Sequence, residues 1–434
     1  MEESQAFEIL DKVLEIADAE AVEARLTSGP QSATRFADNL ITQNIHYTNT
    51  MLTVECAYGQ SHGAATTNDL SDSSLKNLVG RAQAAAKVSP PDPEYMPPVE
   101  PSETGRYTKP QGYFEQTELL SPLAKAEAIS RASSTVSAKG LRLSGAYTTG
   151  ADFTAVANSA GLRAYYRETT AEIHTTVLGD TGSGWAEKIA SSVGDIDIDG
   201  VVSRALGIAQ RAQNPADVKP GKYTVIMSPA ALGELLVFLF WDGFDAKAAD
   251  EGRTFMRGRL GTKVCGEQIT IRSDPADERC PSIPFLDDGF PAPQLPWIEN
   301  GIAANLVYSR YWAKKQGKEP TGHPTNIIMD GKNSTIEEMI TSTKKGLLVT
   351  RFWYIRTVDP MVPLVTGMTR DGLFMIENGK IGGPVKNLRF NDNPLDVLNR
   401  VEAIGRPCRT GEYIDMLVPP VKVRDFNFTS TTEF

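Results

Sequence analysis

The chain has 434 residues, 41% of them hydrophobic and 23% charged, with a net charge of −10. That length exceeds one ordinary core and predicts two or three domains. The acidic balance, with no Lys/Arg cluster to neutralise phosphates, argues against a nucleic-acid role, and the longest apolar run, Leu235 to Trp241, is far too short to span a membrane.

The opening MEESQAFEILDKVLEIADAE carries two acids at positions 2 and 3 and spaces Phe7, Leu10, Val13, Leu14 and Ile16 at helical period. This predicts an amphipathic helix over 5–19 rather than a secretory signal. Strand-like stretches follow at 21–29, 32–49 and 50–68, the last holding a Tyr-Gly-Gln turn. Residues 71–88 return to helix, with Ser or Asp as N-cap. Residues 1–90 thus read as a helix-on-sheet unit. Seven prolines fall in residues 89–111, so 91–111 is expected to be an extended linker. A second α/β unit is expected over 112–213, with a helix at 121–138, strands near 141–148, 152–158, 162–168 and 171–178, a turn at GDTGSGW (179–185), and a closing helix at 198–212.

A further boundary is expected at NPADVKPGKY, residues 214–223, with a domain over 220–434 rich in short β-segments. Its strand YTVIMSP leads into a helix from Pro229, which suits a first turn because its missing N–H would be unpaired there. Another helix is expected at 334–345, with Ser334 and Glu337 as a capping box and Gly346 as C-cap. IENGKI (376–381) is the clearest hairpin signal. The fold class is therefore α+β: a helix-on-sheet unit, a second α/β unit and a large β-rich C-terminal domain with a few helices.

Chemistry is sparse. His46, His62, His174 and His323 are scattered, and no two share a helical turn, so a zinc site on one helix face is absent. The first three read as strand residues and His323 as a loop residue. Cys56, Cys265, Cys280 and Cys408 form no CxxC pair and predict reduced thiols in a cytoplasmic protein. Cys408 in GRPCRTG has the basic neighbours that can activate a thiol but no His nearby in sequence. There is no GxSxG elbow and no phosphate loop. The most unusual segment is SPAALGELLVFLFWDGFDAKAADEG (228–252). Its helix is apolar on every face, which predicts burial all round, and Asp242 and Asp245 then mark its emergence from the core.

Three stretches, PGKYTVIMSPAALGELL, TNIIMDGKNSTIEEMITSTKKGLLV and VTGMTRDGLFMIENGKIGGPVKNL, resemble the TldD/PmbA family, and the likeness covers nearly the whole chain. The resemblance implies a zinc metallopeptidase system of two chains that processes peptides, formerly described as a modulator of DNA gyrase. In the family's catalytic subunit an HExxxH motif follows the Leu-Leu of this helix, two His binding zinc and a Glu activating water. Here Val237 stands at the first His, Phe238 at the Glu and Asp242 at the second His. The resemblance therefore implies the partner-type subunit (TldE/PmbA-like). Such a subunit is expected to hold no metal or cofactor of its own, with zinc expected in a TldD-like catalytic partner. A homodimeric peptide-binding or scaffold protein is the alternative, and a replaced mechanism using Cys408 or the Asp242/Asp245 pair is a third. The expected ligand is an extended peptide bound by strand addition. The expected groove residues are Arg351, Trp353 and Arg356, in the aromatic and basic strand RFWYIRTVDP.

Overall fold

A computed structural model describes residues 1–103, 108–411 and 414–432; the side chains of Glu103 and Asp242 also lie outside the described residues. The N-terminal half comprises α1 (Glu3–Ile16), β1 (Ala21–Ala37), β2 (Leu40–Tyr58), β3 (Ser61–Thr67), α2 (Asp72–Val88), α3 (Glu115–Glu118), α4 (Pro122–Ser137), β4 (Arg142–Asn158), β5 (Arg163–Leu178), β6 (Ser183–Ala190) and α5 (Ile198–Arg211). All six strands form one antiparallel sheet in the order β3-β2-β1-β4-β5-β6. β1 pairs with β4 from Glu23↔Asn158 to Phe36↔Gly145, so the sheet runs across the expected boundary at 91–111. Residues 104–107 of the Pro-rich segment lie outside the described residues, and its part around Val99 lies against the protein. Val99 is fully buried and its carbonyl accepts from Asn158 Nδ2 at 2.9 Å. Proline removes backbone donors, which keeps the segment out of a ladder without preventing its side chains from burying.

Strand lengths differ from expectation. The stretches at 21–29 and 32–49 are redistributed over two long strands joined at Asp38 and Asn39, both with left-handed φ of 49° and 65°. Such a pair makes a two-residue hairpin turn of matching twist without glycine. The four short strands expected over 141–178 are β4 and β5, of 17 and 16 residues. The segment GDTGSGW is only partly a turn, since β6 begins at Ser183. Leu26 and Phe36 of β1 lie an even number of residues apart and so face the same way. Leu26 packs in the core that includes Leu10 of α1 and Leu78 of α2. Phe36 packs with Ile129 of α4 and Leu206 of α5. The sheet thus carries its major helices on one face.

The C-terminal half comprises β7 (Gly221–Met227), α6 (Pro229–Gly243), α7 (Ala246–Asp250), β8 (Ile271–Ser273), β9 (Leu295–Glu299), β10 (Ile302–Ala303), α8 (Arg310–Gln316), β11 (Asn326–Met329), α9 (Ile336–Thr341), β12 (Lys345–Val349), β13 (Phe352–Asp359), β14 (Leu364–Thr369), β15 (Leu373–Glu377), β16 (Lys380–Pro384), β17 (Leu388–Asp392), α10 (Pro394–Asn399), β18 (Val401–Ile404), β19 (Cys408–Thr410), β20 (Asp415–Val418) and β21 (Val421–Thr431). They form a six-stranded sheet, β10-β9-β8-β11-β20-β19, and a nine-stranded sheet, β13-β14-β17-β21-β7-β12-β15-β16, with β18 on β21. Their shared core joins Val225 and Met227 of β7 to Leu232, Leu235, Leu236 and Leu239 of α6 and to Ile271, Ile327 and Met416 of the smaller sheet. α6 is therefore covered by a sheet on either side, which is why it is apolar all round. It emerges at Trp241, which is 60% exposed. Among the described residues no helix is long and apolar enough to cross a membrane.

The capping box expected at Ser334 and Glu337 falls one residue later, on Thr335 and Glu338. Gly346 lies inside β12 and caps nothing. A Cβ there would sit 2.5 Å from the carbonyl oxygen of Thr224 on β7, so close strand packing explains the glycine. IENGKI forms the expected hairpin, with Asn378 and Gly379 both at positive φ.

Candidate functional site

Ser228 fixes the start of α6. Its hydroxyl accepts from the N–H of Ala231 at 3.2 Å and donates to the carbonyl of Thr350 at 2.6 Å. The one contact caps the helix; the other ties it to the segment entering β13. Three sheet edges converge beside this helix: β6 from the first sheet, β19 from the second and β13 from the third. They enclose a cavity of about 360 Å³. Trp185 and Glu187 line it from β6, Thr410 from β19, and Trp353 to Arg356 from β13. Ala230, Gly233, Glu234, Val237, Phe238 and Trp241 line it from α6.

Arg351 organises the cavity. Its guanidinium lies 4.4 Å from the ring centre of Trp185 and 4.6 Å from that of Trp353. Arg370 covers Trp353 at 4.9 Å. The result is an alternating pile, Trp185–Arg351–Trp353–Arg370, in which each cation meets an electron-rich ring face. Arg351 reaches Asp371 at 3.5 Å and Glu234 at 3.8 Å, and its side chain is only 13% exposed. Its Nε is buried without a hydrogen bond, so ring faces and nearby carboxylates compensate the charge. Asp371 is positioned in turn by the hydroxyl of Ser183, which donates to it at 2.7 Å.

Two further groups shape the walls. Glu187 accepts a hydrogen bond from the hydroxyl of Thr410. Burial pushes its carboxyl above the usual range, more than that contact and Arg351 pull it down. Tyr354 has φ of +57° where the β13–β14 register shifts between Trp353 and Arg356. This bulge at a sheet edge re-aims the aromatic strand toward the cavity.

The structure thus brings Val237, Phe238, Arg351, Trp353 and Arg356 to one cavity. Val237 is 5% exposed and Phe238 packs against the main core. Asp242 is the last-but-one residue of α6, and its side chain lies outside the described residues. Asp245 caps α7 by accepting from the N–H of Ala248. Arg351 does not point to solvent as an ordinary strand residue would. Sequence reasoning missed Trp185, Glu187, Glu234, Asp371 and Thr410. The one local hint was the Gly-rich turn before Trp185.

The donors present do not fit a hydrolytic zinc. Among the described residues no histidine lines the cavity, and the two acids that do, Glu187 and Glu234, are engaged by Thr410 and Arg351. Among the described residues, no group of three or more His, Cys, Asp and Glu side chains is placed to hold a metal. His62 bridges Glu55 and Asp92, His174 meets Glu172, and His46 and His323 are exposed. Cys408 is exposed on β19. The guanidinium of its neighbour Arg409 is turned to Asp415 at 2.7 Å and Ser191 at 2.9 Å.

With this geometry in place, the chain is similar to known proteins along most of its length. Residues 110–214 match the PmbA/TldA metallopeptidase central domain, and residues 220–430 the PmbA/TldA metallopeptidase C-terminal domain. A metalloprotease of Methanothermobacter thermautotrophicus is 24% identical over 279 residues, 58% of this chain and 60% of that relative. The chain thus matches less than two thirds of that relative's length. Metalloprotease PmbA of Escherichia coli O157:H7 is 23% identical over 438 residues, 96% of this chain and 95% of that one. The crystal structure of TldE from Thermococcus kodakarensis superposes with a TM-score of 0.88, covering 98% of this chain and 99% of that one at 19% identity. At that identity the likeness establishes the fold.

Proposed function

Because this chain belongs to the PmbA/TldD metallopeptidase family, we propose that it is the subunit that shapes a peptide cavity without holding the catalytic zinc, partnered by a TldD-like chain that carries HExxxH. The observation that carries this reading is the place of Val237 and Phe238. By the family resemblance they correspond to the motif's first His and Glu, and they face a cavity lined by indoles, guanidiniums and engaged carboxylates. Neither side chain can bind a metal or move a proton.

In this reading zinc, held by the partner, supplies the Lewis acid and the activated water. This chain's own residues bind and orient. The edge of β13 offers main-chain donors and acceptors to an extended peptide, which gives affinity tolerant of sequence. The Trp–Arg pile walls off water on one side and α6 closes the floor. We place the pair in the cytoplasm, a compartment that suits four cysteines in no disulfide.

The test is metal analysis and peptidase assay of the purified chain, alone and co-expressed with an HExxxH-bearing family member. The expected result is no stoichiometric zinc and no cleavage alone, with a defined complex and cleavage after co-expression. One tightly held zinc per chain, lost on Asp242→Ala or Cys408→Ala, overturns the reading. A chain that remains a homodimer and binds peptides without hydrolysis in every pairing supports a scaffold instead.

A further inference from the structure

We propose that the cavity over α6 takes an uncharged apolar side chain, aromatic by preference, from the bound peptide, so that the position of the missing motif serves as a side-chain pocket. This rests on the peptide-binding reading above and adds the class of residue recognised.

Two observations lead to it. The first is the surface. Val237, Phe238 and Trp241 of α6 face Trp353 and Ile355 of β13, with Trp185 on the third side. Ala230 and Gly233 contribute almost no bulk, which leaves the floor open. The cavity of about 360 Å³ sits at the small end of the range for ligand pockets, about 300–1,000 Å³. That space is ample for one large side chain, since an apolar cavity of about 150 Å³ already holds a benzene ring.

The second is charge. Among the described residues, the charged groups lining the cavity already have partners. Arg351 is bracketed by two indoles and two carboxylates. Glu187 takes the Thr410 hydroxyl, and Glu234 lies beside Arg351. Arg356, at the rim, donates to the carbonyl of Ile355 at 2.6 Å and covers the Tyr354 ring at 4.4 Å. A charged side chain entering here would be desolvated with no described group reserved for it, whereas an apolar one gives up no polar hydration and removes apolar wall from water. An aromatic ring adds offset or edge contacts with the indoles.

The experiment uses short peptides, acetylated and amidated, identical except for Phe, Leu, Ser, Asp or Lys at the central position. Binding to the full chain is followed by calorimetry and by tryptophan fluorescence, since Trp185, Trp241 and Trp353 all line the cavity. The Phe peptide is expected to bind about tenfold or more tightly than the Ser, Asp and Lys peptides, with Leu between. Val237→Trp fills the floor from a position only 5% exposed, so it is expected to abolish that preference and, by crowding the core, to lower the melting temperature. The series on the unaltered chain decides the matter even if that variant does not fold. Equal affinities across the series, or the tightest binding by Asp or Lys, overturn the pocket and leave peptide binding by the main chain standing. No binding by any peptide, alone or with the HExxxH-bearing partner, overturns the peptide-binding reading itself.

Discussion

α5 and α6 are similar in length but differently solvated. α5 lies on one face of the first sheet, burying Val201, Val202, Ala205, Leu206 and Ala209 and exposing the side that carries Ser203 and Arg204. α6 runs between two sheets and buries Leu232, Leu235, Leu236, Val237 and Leu239 in succession. A helix with one wet face tolerates polar chemistry along that face. A helix with none can show chemistry only where the layers part. On α6 that gap is the cavity, and the residues facing it are Ala230, Gly233, Glu234, Val237, Phe238 and Trp241.

The largest effect is expected where the cavity's charges are balanced. Arg351→Ala leaves Asp371, only 5% exposed, with Arg370 at 3.8 Å as its remaining cation beside the Ser183 hydroxyl. Removing one partner of a buried pair costs about 3 kcal/mol or more, and the Trp185–Trp353 pile loses its centre. Denaturant unfolding should show that loss and titration should show weakened peptide binding. Unaltered stability would mean the pile is ornamental.

Next comes the direct contrast of the two helices. Leu236→Ala, at a fully buried position of α6, is expected to cost about 2–5 kcal/mol through lost burial and the cavity left behind. Ser203→Ala on the exposed side of α5 should stay within about 0.5 kcal/mol. Comparable values for both would deny that α6 is covered on two sides.

A third effect belongs to the first sheet, away from α6. Burial, then the carboxylates of Asp288 and Glu55, push Glu23 from 4.5 up to about 8; burial and Asp415 likewise raise Glu168 to about 7. A carboxyl that keeps its proton longer in the folded chain contributes stability that is complete below its unfolded pKa and is lost as pH rises through the folded one. Stability should therefore fall between pH 4.5 and about 8, by on the order of 2 kcal/mol for Glu23. Glu23→Gln should flatten that slope in thermal melts across the interval, and an unchanged slope would rule Glu23 out as its source.

What was legible in the sequence was local. Ser71 caps α2, Pro229 opens α6 and Asn378-Gly379 turns a hairpin because each acts on neighbours within a few residues. The Asp38-Asn39 turn was hidden because neither residue is glycine. β6 was hidden because its burial comes from β5 and α5 rather than from a pattern of its own. The cavity divides in the same way. Val237, Phe238, Arg351, Trp353 and Arg356 lie in two compact motifs, whereas Trp185, Glu187 and Thr410 come from distant segments that only the convergence of sheet edges brings together.

The smallest expected effect separates the helices by their first residues. Ser121 caps α4 at an exposed position, accepting from the N–H of Ala124 at 3.1 Å. Ser228 caps α6 in the same way but also donates to Thr350 at 2.6 Å, joining the helix to the strand that carries the cavity wall. Ser121→Ala should cost about 0.5–1 kcal/mol, as lost caps do. Ser228→Ala loses the cap and leaves a carbonyl of the adjoining segment without that partner, so about 1–2 kcal/mol is expected. Ser228→Thr should restore most of that, because its hydroxyl can make both bonds. Equal costs at the two caps, by denaturant unfolding, would mean that the link to Thr350 adds nothing, and that α6 and the β13 wall are held together by packing alone.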